Sequence, residues 1–288
     1  MKTDIVVTSS AEHLAKILSK NSAFSIHYLG KNKDDKKYFP DGEVYVNLED
    51  FSGERVVVLH SGAPSVNDGL VELEFLLGLL KERKTKSVEL FLTYFPYGKQ
   101  DMAFKAGEIN AAETLISKWI EFYNVKKIYI IDAHFAGRDW VNKYPIENIS
   151  GVEILQKIVL TKYPDVIFIA PDAGSVRRNS LSGFAKKRKN SHEVETSCDD
   201  DFKRKVEGKK IGIVDDMIET GGTMVSVCKK CKELGATKII AVVTHGVLQS
   251  GVDRIKNSYD ELYLTNSIEN DASNVDVSGL IADSLAGK

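Results

Sequence analysis

Asp215 and Asp216, followed at once by Met217-Ile218-Glu219 and then Thr220, Gly221, Gly222 and Thr223, join two carboxylates to a small-residue turn. Ahead of them, residues 211–214 form an apolar run of the kind a central parallel strand shows. Glycines let a backbone approach a ligand closely, and a helix starting there offers orphan N–H groups at the positive end of its dipole. A phosphate suits that cup, and two carboxylates suit the hydroxyls of a ribose beside it. A sugar phosphate therefore accounts for both features. Taken by position alone, the same string is also a strand, an acidic turn and a Thr-capped helix. The Gly-x-x-x-x-Gly-Lys-Ser/Thr spacing of a P-loop is not met.

Other polar residues follow strand-like runs. Asp132 and His134 come after residues 127–131, and Asp172 sits in Pro171-Asp172-Ala173-Gly174 after residues 166–169. Lys99, Gln100 and Asp101 close a stretch that begins Tyr94-Phe95-Pro96-Tyr97-Gly98. Phe39-Pro40-Asp41-Gly42-Glu43 reads as a turn. Lys186 and Arg188 stand in the basic run Ala185-Lys186-Lys187-Arg188-Lys189-Asn190, which is also what a solvated surface looks like. Polar groups just past strand ends place a site in a cleft between two halves of the chain.

The elements that carry these residues alternate between strand and helix patterns, so a parallel α/β architecture is expected. Strands are predicted at residues 4–8, 55–60, 87–92, 127–131, 166–169, 211–214, 239–244 and 259–264, with a further alternating segment at 44–48. Helices are predicted at 11–18, 66–81, 111–122, 152–160, 223–234 and 276–285, with a helical stretch between Gly174 and the acidic strand. Residues 136–150 are weakly patterned. The domain boundary is placed near their end, giving 1–148 and 149–288 as two similar α/β domains, each a mostly parallel sheet flanked by helices.

Composition supports a globular chain and removes several classes. The 288 residues are 43% hydrophobic, enough for one large or two medium domains. A net charge of −2 gives no basic field for nucleic acid. No apolar run approaches the roughly 20 residues of a membrane span. Met1-Lys2-Thr3-Asp4 leads straight into a short strand-like run without the longer apolar region of a signal peptide. Three cysteines are too few for a disulfide scaffold and point to a reducing compartment, the cytoplasm. Cys228 and Cys231 form a Cys-x-x-Cys, but they fall inside the predicted 223–234 helix with no second ligand pair, so they read as ordinary helix residues.

The string over residues 211–223 resembles the phosphoribosyl pyrophosphate (PRPP) binding motif of type I phosphoribosyltransferases and PRPP synthetases. With residues 39–43, Ser65-Val66-Asn67-Asp68-Gly69-Leu70-Val71-Glu72-Leu73, 97–101, 132–134 and 171–174, in that order, the whole chain resembles the ribose-phosphate pyrophosphokinase (PRPP synthetase) family, and its shorter, archaeal-like members in size. The resemblance implies two phosphoribosyltransferase-like domains, with the last helix packing on the first domain, and transfer of the pyrophosphoryl group of ATP to the C1 hydroxyl of ribose 5-phosphate, releasing AMP. It implies that Phe39, Asp41, Glu43, Lys99, Gln100, Asp101 and His134 serve ATP. Asp172, Asp215, Asp216, Thr220, Gly221, Gly222 and Thr223 would hold ribose 5-phosphate. Lys186 and Arg188 would form a flexible catalytic loop, with residues 199–201 and 203–205 as its solvated return. Mg2+ is the implied cofactor, with His134 and Asp172 at the metal. A homo-oligomer is implied too, residues 39–43 reaching ATP from a neighbouring subunit.

Two departures stand out. Lys99 replaces the family's usual Arg, keeping charge but losing the planar fork that grips phosphate. Ser175 replaces a glycine after Gly174, which a Ser tolerates where φ is negative. Thr244-His245-Gly246 also resembles a family turn near the ribose, and no catalytic role is assigned to it. A phosphoribosyltransferase that consumes PRPP would share residues 215–223 but need neither residues 39–43, His134 nor the Lys186 segment. A non-catalytic homologue should lack Lys186, Arg188 or His134, and all are present. Acceptors such as ADP-ribose share the reacting end of ribose 5-phosphate.

Overall fold

The computed structural model describes residues 2–49, 51, 53–172, 174–176, 186–190, 193–196 and 200–287, with backbone alone for 186–190, 193–196, 200 and 201. The chain divides into two compact units. One holds residues 1–149, 267–269 and 277–288; the other holds 150–266 and 270–276.

The first unit is built on a six-stranded parallel sheet of β1 (Thr3–Val7), β2 (Phe24–Tyr28), β3 (Arg55–Ser61), β4 (Ser87–Tyr94), β5 (Val125–Ile131) and β6 (Ile146–Ile149), in the order β2-β1-β3-β4-β5-β6. Both faces of the sheet are buried, which is why its strands read as continuous apolar runs. Val56 and Val58 of β3, Leu90 and Leu92 of β4, and Ile128 and Ile130 of β5 pack with helices α2 (Val66–Glu82) and α3 (Ala111–Glu121). The alternate residues Val57, Leu59, Phe91, Tyr129 and Ile131 pack with α1 (Glu12–Leu18) and with Val277, Ile281 and Leu285 of the terminal helix, Ser278–Leu285.

The second unit carries a four-stranded parallel sheet, β12-β11-β10-β7, of β7 (Ile167–Ile169), β10 (Lys210–Ile218), β11 (Lys238–Gly246) and β12 (Glu261–Leu264). Ile211 and Ile213 of β10 face the helices Gly222–Glu233 and Gln249–Ser258. Val214, Ile240 and Val242 face α4 (Gly151–Lys162). Among the described residues no helix is long and apolar enough to cross a membrane.

Several expectations need correction. The 44–48 segment forms no strand. Its contact is an isolated bridge, Tyr38 to Val44, and Tyr45 N and Asn47 O bond to Lys37 O and Gly30 N in loops rather than to a neighbouring strand. The acidic strand does not stop at Val214: its ladder with β11 continues through Ile218 and Gly246. After Gly174 the backbone is helical over residues 174–176, and a β-hairpin, β8 (Lys186–Asn190) against β9 (Glu193–Thr196), and a helix at Asp200–Val206 come before the acidic strand. The supposed loop residues Lys186 and Arg188 thus have strand backbone, paired with Thr196 and Val194. The pairing uses the β-branched Val194 and Thr196, whose strand preference was outweighed in the sequence by the surrounding charge. Strands β2 and β6 and the Gln249–Ser258 helix were not anticipated.

Candidate active site

In the second unit the acidic pair lies inside the strand rather than after it. Asp215 pairs in register with Val243, while β7 alongside reaches only Ile169, opposite Ile213. On that side the carboxylates extend beyond the neighbouring strand, so β10 lifts them past the carboxyl edge of β7. Asp215 and Asp216 are 9% and 2% exposed, and Asp216 N donates to Asp215 Oδ1 at 3.0 Å.

Beyond Ile218 the chain turns through Glu219 and Thr220 into the Gly222–Glu233 helix. Gly221 is its N-cap, with φ +72, and no side chain caps the helix N-terminus. A Cβ on Gly221 would lie 3.2 Å from Gly251 O, in the helix Gln249–Ser258, and one on Gly251 would lie 1.9 Å from Glu219 O. Two glycines facing each other thus set the depth of this turn, and neither position has room for a side chain. Thr220 and Thr223 are exposed on its rim. The first N–H groups of the helix and the positive end of its dipole are features that favour an anion at this turn.

Asp172 precedes a helical turn and caps it: its Oδ1 accepts from Ser175 N at 2.9 Å. Ser175, buried, is not among the residues with positive φ, and its hydroxyl donates to Val214 O at 2.9 Å, tying this turn to β10. The hydroxyl that replaces the family glycine therefore has a bonding partner. The side chains of Lys186 and Arg188, and the 199–201 part of the expected return segment apart from its helical backbone, lie outside the described residues.

In the first unit, residues 97–101 leave β4 in a tight turn. Tyr97 has φ +58 and its hydroxyl bonds Asn67 at the start of α2. Gln100 N donates to Tyr97 O at 3.1 Å, and Ala112 N, in the first turn of α3, donates to Gln100 O at 3.1 Å. Beside this turn, β5 is followed by Asp132, which is left-handed at φ +39 and whose N donates to Ile149 O at 2.9 Å. Aspartate tolerates that backbone region better than most residues do. Ala133 N donates to the side chain of Asn148 at 2.7 Å. His134 follows, half-buried, and a Cβ built on Gly98 would stand 3.8 Å from its Cβ. The two segments are therefore neighbours.

Asp101 does not project from this pair of segments. It is 2% exposed, and Arg138 Nε and Nη2 donate to its two carboxylate oxygens at 2.7 and 3.1 Å. Asp101 was expected to serve ATP directly; its oxygens are committed to a guanidinium instead. Arg138 was missed in the sequence because it lies in the weakly patterned 136–150 region. Phe39, 43% exposed, meets Tyr45 edge-on at 5.6 Å, and Phe39 N donates to Glu43 O at 2.8 Å, closing the 39–43 turn. Asp41 and Glu43 are exposed.

The donor chemistry suits Mg2+ in one respect. Among the described residues no group of three or more His, Cys, Asp or Glu side chains gathers into a chelating cluster. A hard ion that keeps several waters and takes substrate phosphates needs only one or two carboxylates, and Asp172 supplies an oriented one. Cys228 and Cys231 are buried within the Gly222–Glu233 helix, and Cys228 Sγ donates to Ser258 O at 3.3 Å, in keeping with ordinary helix residues.

Two α/β units, one ending its acidic strand in a glycine-bearing turn, define a phosphoribosyltransferase-like protein. The profile of the N-terminal domain of ribose phosphate pyrophosphokinase matches residues 3–120, and that of the phosphoribosyl synthetase-associated domain matches residues 200–286. A ribose-phosphate pyrophosphokinase from Pyrococcus abyssi is 30% identical over 96% of this chain and 96% of its own length. Another from Thermococcus kodakarensis is 32% identical over 84% of this chain and 88% of its own length. The chain belongs to the ribose-phosphate pyrophosphokinase family. Its fold is shared with the phosphoribosylpyrophosphate synthetase of Mycobacterium smegmatis, at a TM-score of 0.83 with 20% identity, covering all of this chain and 98% of that one.

Proposed function

We propose that this chain is an ATP-dependent ribose-phosphate pyrophosphokinase, making PRPP and AMP from ATP and ribose 5-phosphate in the cytoplasm. The observation that carries the reading is relatedness along the full chain: both units belong to the family, whereas an enzyme that only consumes PRPP needs just the cup of the second. In the reaction the C1 hydroxyl oxygen attacks the β-phosphorus of ATP, the bond from that phosphorus to the α-bridging oxygen breaks, and the hydroxyl proton is lost. Such transfers depend on in-line positioning and charge neutralisation more than on covalent help.

In this reading the 5-phosphate takes the N–H groups at Gly221, Gly222 and Thr223, with the Thr220 and Thr223 hydroxyls beside it. Asp215 and Asp216 accept from the ribose hydroxyls. Phe39 stacks on adenine, and Asp41 and Glu43 accept from its amino group, in a homo-oligomer whose neighbouring subunit supplies them. Lys99, Gln100 and His134 face the phosphates of ATP. Lys186 and Arg188, on the hairpin, neutralise charge on the transferring group. Asp172 and His134 would hold Mg2+, which when bound draws charge from the phosphate oxygens. The ATP side is assigned to residues 1–148 and the acceptor side to 149–288.

The test is to incubate the protein with ATP, magnesium and ribose 5-phosphate, or with ADP-ribose in its place. AMP and PRPP should appear together with ribose 5-phosphate. No AMP sinks the reading; AMP with ADP-ribose alone moves the acceptor assignment. Lys186→Ala should lower turnover by roughly a hundredfold or more with little change in ribose 5-phosphate binding. Unchanged turnover would remove Lys186 from the catalytic set.

A further inference from the structure

Arg138 is joined to the wrong residue for a bystander. Its guanidinium sits in a bidentate pair with Asp101, whose side chain is 3% exposed, while its own is 25% exposed. Trp140, two residues on, donates from Nε1 to Asp101 O at 3.0 Å. Both groups therefore hold the last residue of the 97–101 turn, one by its side chain and one by its backbone. Arg138 also stands four residues after His134, and its N donates to Phe135 O at 3.0 Å. Phe135 in turn packs against Phe95 and Trp140, with ring centroids at 4.8 and 5.0 Å. The segment leaving β5 and the turn leaving β4 are thus clamped together beneath Lys99, Gln100 and His134.

We infer that Arg138 is a positioning residue for the nucleotide: it fixes the turn that presents Lys99 and Gln100 against His134, and touches no substrate itself. The inference rests on the ATP assignment made above. Lys99 gives the arrangement its importance. A lysine is a point charge on a flexible stem, without the fork that would orient it on phosphate. Its placement then depends on the backbone that carries it, and that backbone is pinned at Asp101. A buried carboxylate that loses its only fork is costly, whereas removing both charges together leaves a neutral, similarly shaped contact.

Three variants test this: Arg138→Met, Arg138→Lys, and the double change Arg138→Met with Asp101→Asn. Kinetics are followed with each substrate varied in turn, and ATP binding is followed separately by calorimetry, with urea unfolding as the control for folding. The expected result is a rise of about tenfold or more in KM for ATP in Arg138→Met, with KM for ribose 5-phosphate within twofold of wild type. Arg138→Lys should recover only part of that loss, because it restores the charge without the fork. The double variant should fold as well as wild type yet bind ATP more weakly. Equal rises in both Michaelis constants, full recovery by Lys, or ATP binding unchanged in the folded double variant would each overturn the inference. If the wild type binds ATP but releases no AMP, the proposed reaction fails while weaker ATP binding by the variants still supports Arg138. A wild type that binds no ATP overturns both.

Discussion

Single residues carry two tests beyond those given above. The facing glycines fix the turn before the Gly222–Glu233 helix so closely that Gly251→Ala must push Glu219 away from a Cβ otherwise 1.9 Å from its oxygen. Overpacking of this kind costs about 1–3 kcal/mol. We expect a lower urea midpoint and a KM for ribose 5-phosphate raised by about tenfold, with the KM for ATP changed far less. Lys99→Arg should act in the opposite sense on the other substrate, lowering the KM for ATP a few-fold by adding the missing fork; an unchanged value would remove Lys99 from the phosphate contacts. Much of this chemistry was legible from residue type. Asp215, Asp216 and the Gly221-Gly222 pair stood out from residue type and spacing, and the structure sets them on one strand and the turn that follows it. Gly251 and Arg138 did not, because each acts through a neighbour distant in sequence, and no local pattern encodes that partner.

Elements were read best where both faces of a strand are buried. Residues 56–59, 90–92 and 128–131 are apolar on both faces, so the type of their strands was plain. Strand β2 hides because Ser25 and His27 interrupt its apolar residues, and only Phe24 is fully buried. The Gln249–Ser258 helix offers just Gly251, Val252 and Ile255 to the core, too few to register among its polar residues. One carboxylate, Glu261, secures the edge strand β12. It accepts from Lys162 and Lys238 Nζ at 3.0 Å each, from Tyr263 Oη at 3.2 Å, and from the Tyr163 hydroxyl. Burial alone would push its pKa up, but the hydrogen bonds from Tyr163, Lys238, Lys162 and Tyr263 outweigh it and hold the group down to about 2. Between that value and its ordinary one near 4.5, the unfolded chain binds the proton and the folded chain does not. Stability from this cluster is therefore complete above the ordinary value and is lost as pH falls toward about 2. Glu261→Gln should lower stability at neutral pH by about 1–2 kcal/mol, discounted for partial exposure, and flatten the acid limb of the urea midpoint curve.

For the whole molecule, the division into two units separates what different probes report. Both tryptophans, Trp119 and Trp140, lie in the first unit, so selectively excited tryptophan fluorescence follows that unit alone. That unit also holds His60, which is fully buried, with Nδ1 2.9 Å from Thr8 Oγ1. Burial lowers the His60 pKa from 6.5 to about 3. The unfolded chain takes up this proton first, so the histidine's contribution to stability is whole above the ordinary value and declines as pH falls below it. The fluorescence transition should therefore weaken at a higher pH than the Glu261-dependent part of the circular dichroism transition. Coincident loss in both signals, shifted together by Glu261→Gln, would show that the units unfold as one. The two-unit architecture was legible in the alternation of patterns, and the last helix was expected on the first domain, the unit to which residues 277–288 belong; the return of residues 267–269, after more than a hundred residues in the second unit, was not foreseen.

That return has a consequence for synthesis. Val277, Ile281 and Leu285 complete a core shared with Ile5, Leu14, Leu18 and Val57. A ribosome adds about 5–20 residues per second, so the earliest strands must wait many seconds for the last helix to cover them. Until then Leu14, Leu18 and their neighbours lack part of their covering, a natural target for a holdase chaperone. The second unit is finished while the first still waits, so the part of the chain made first is the part completed last.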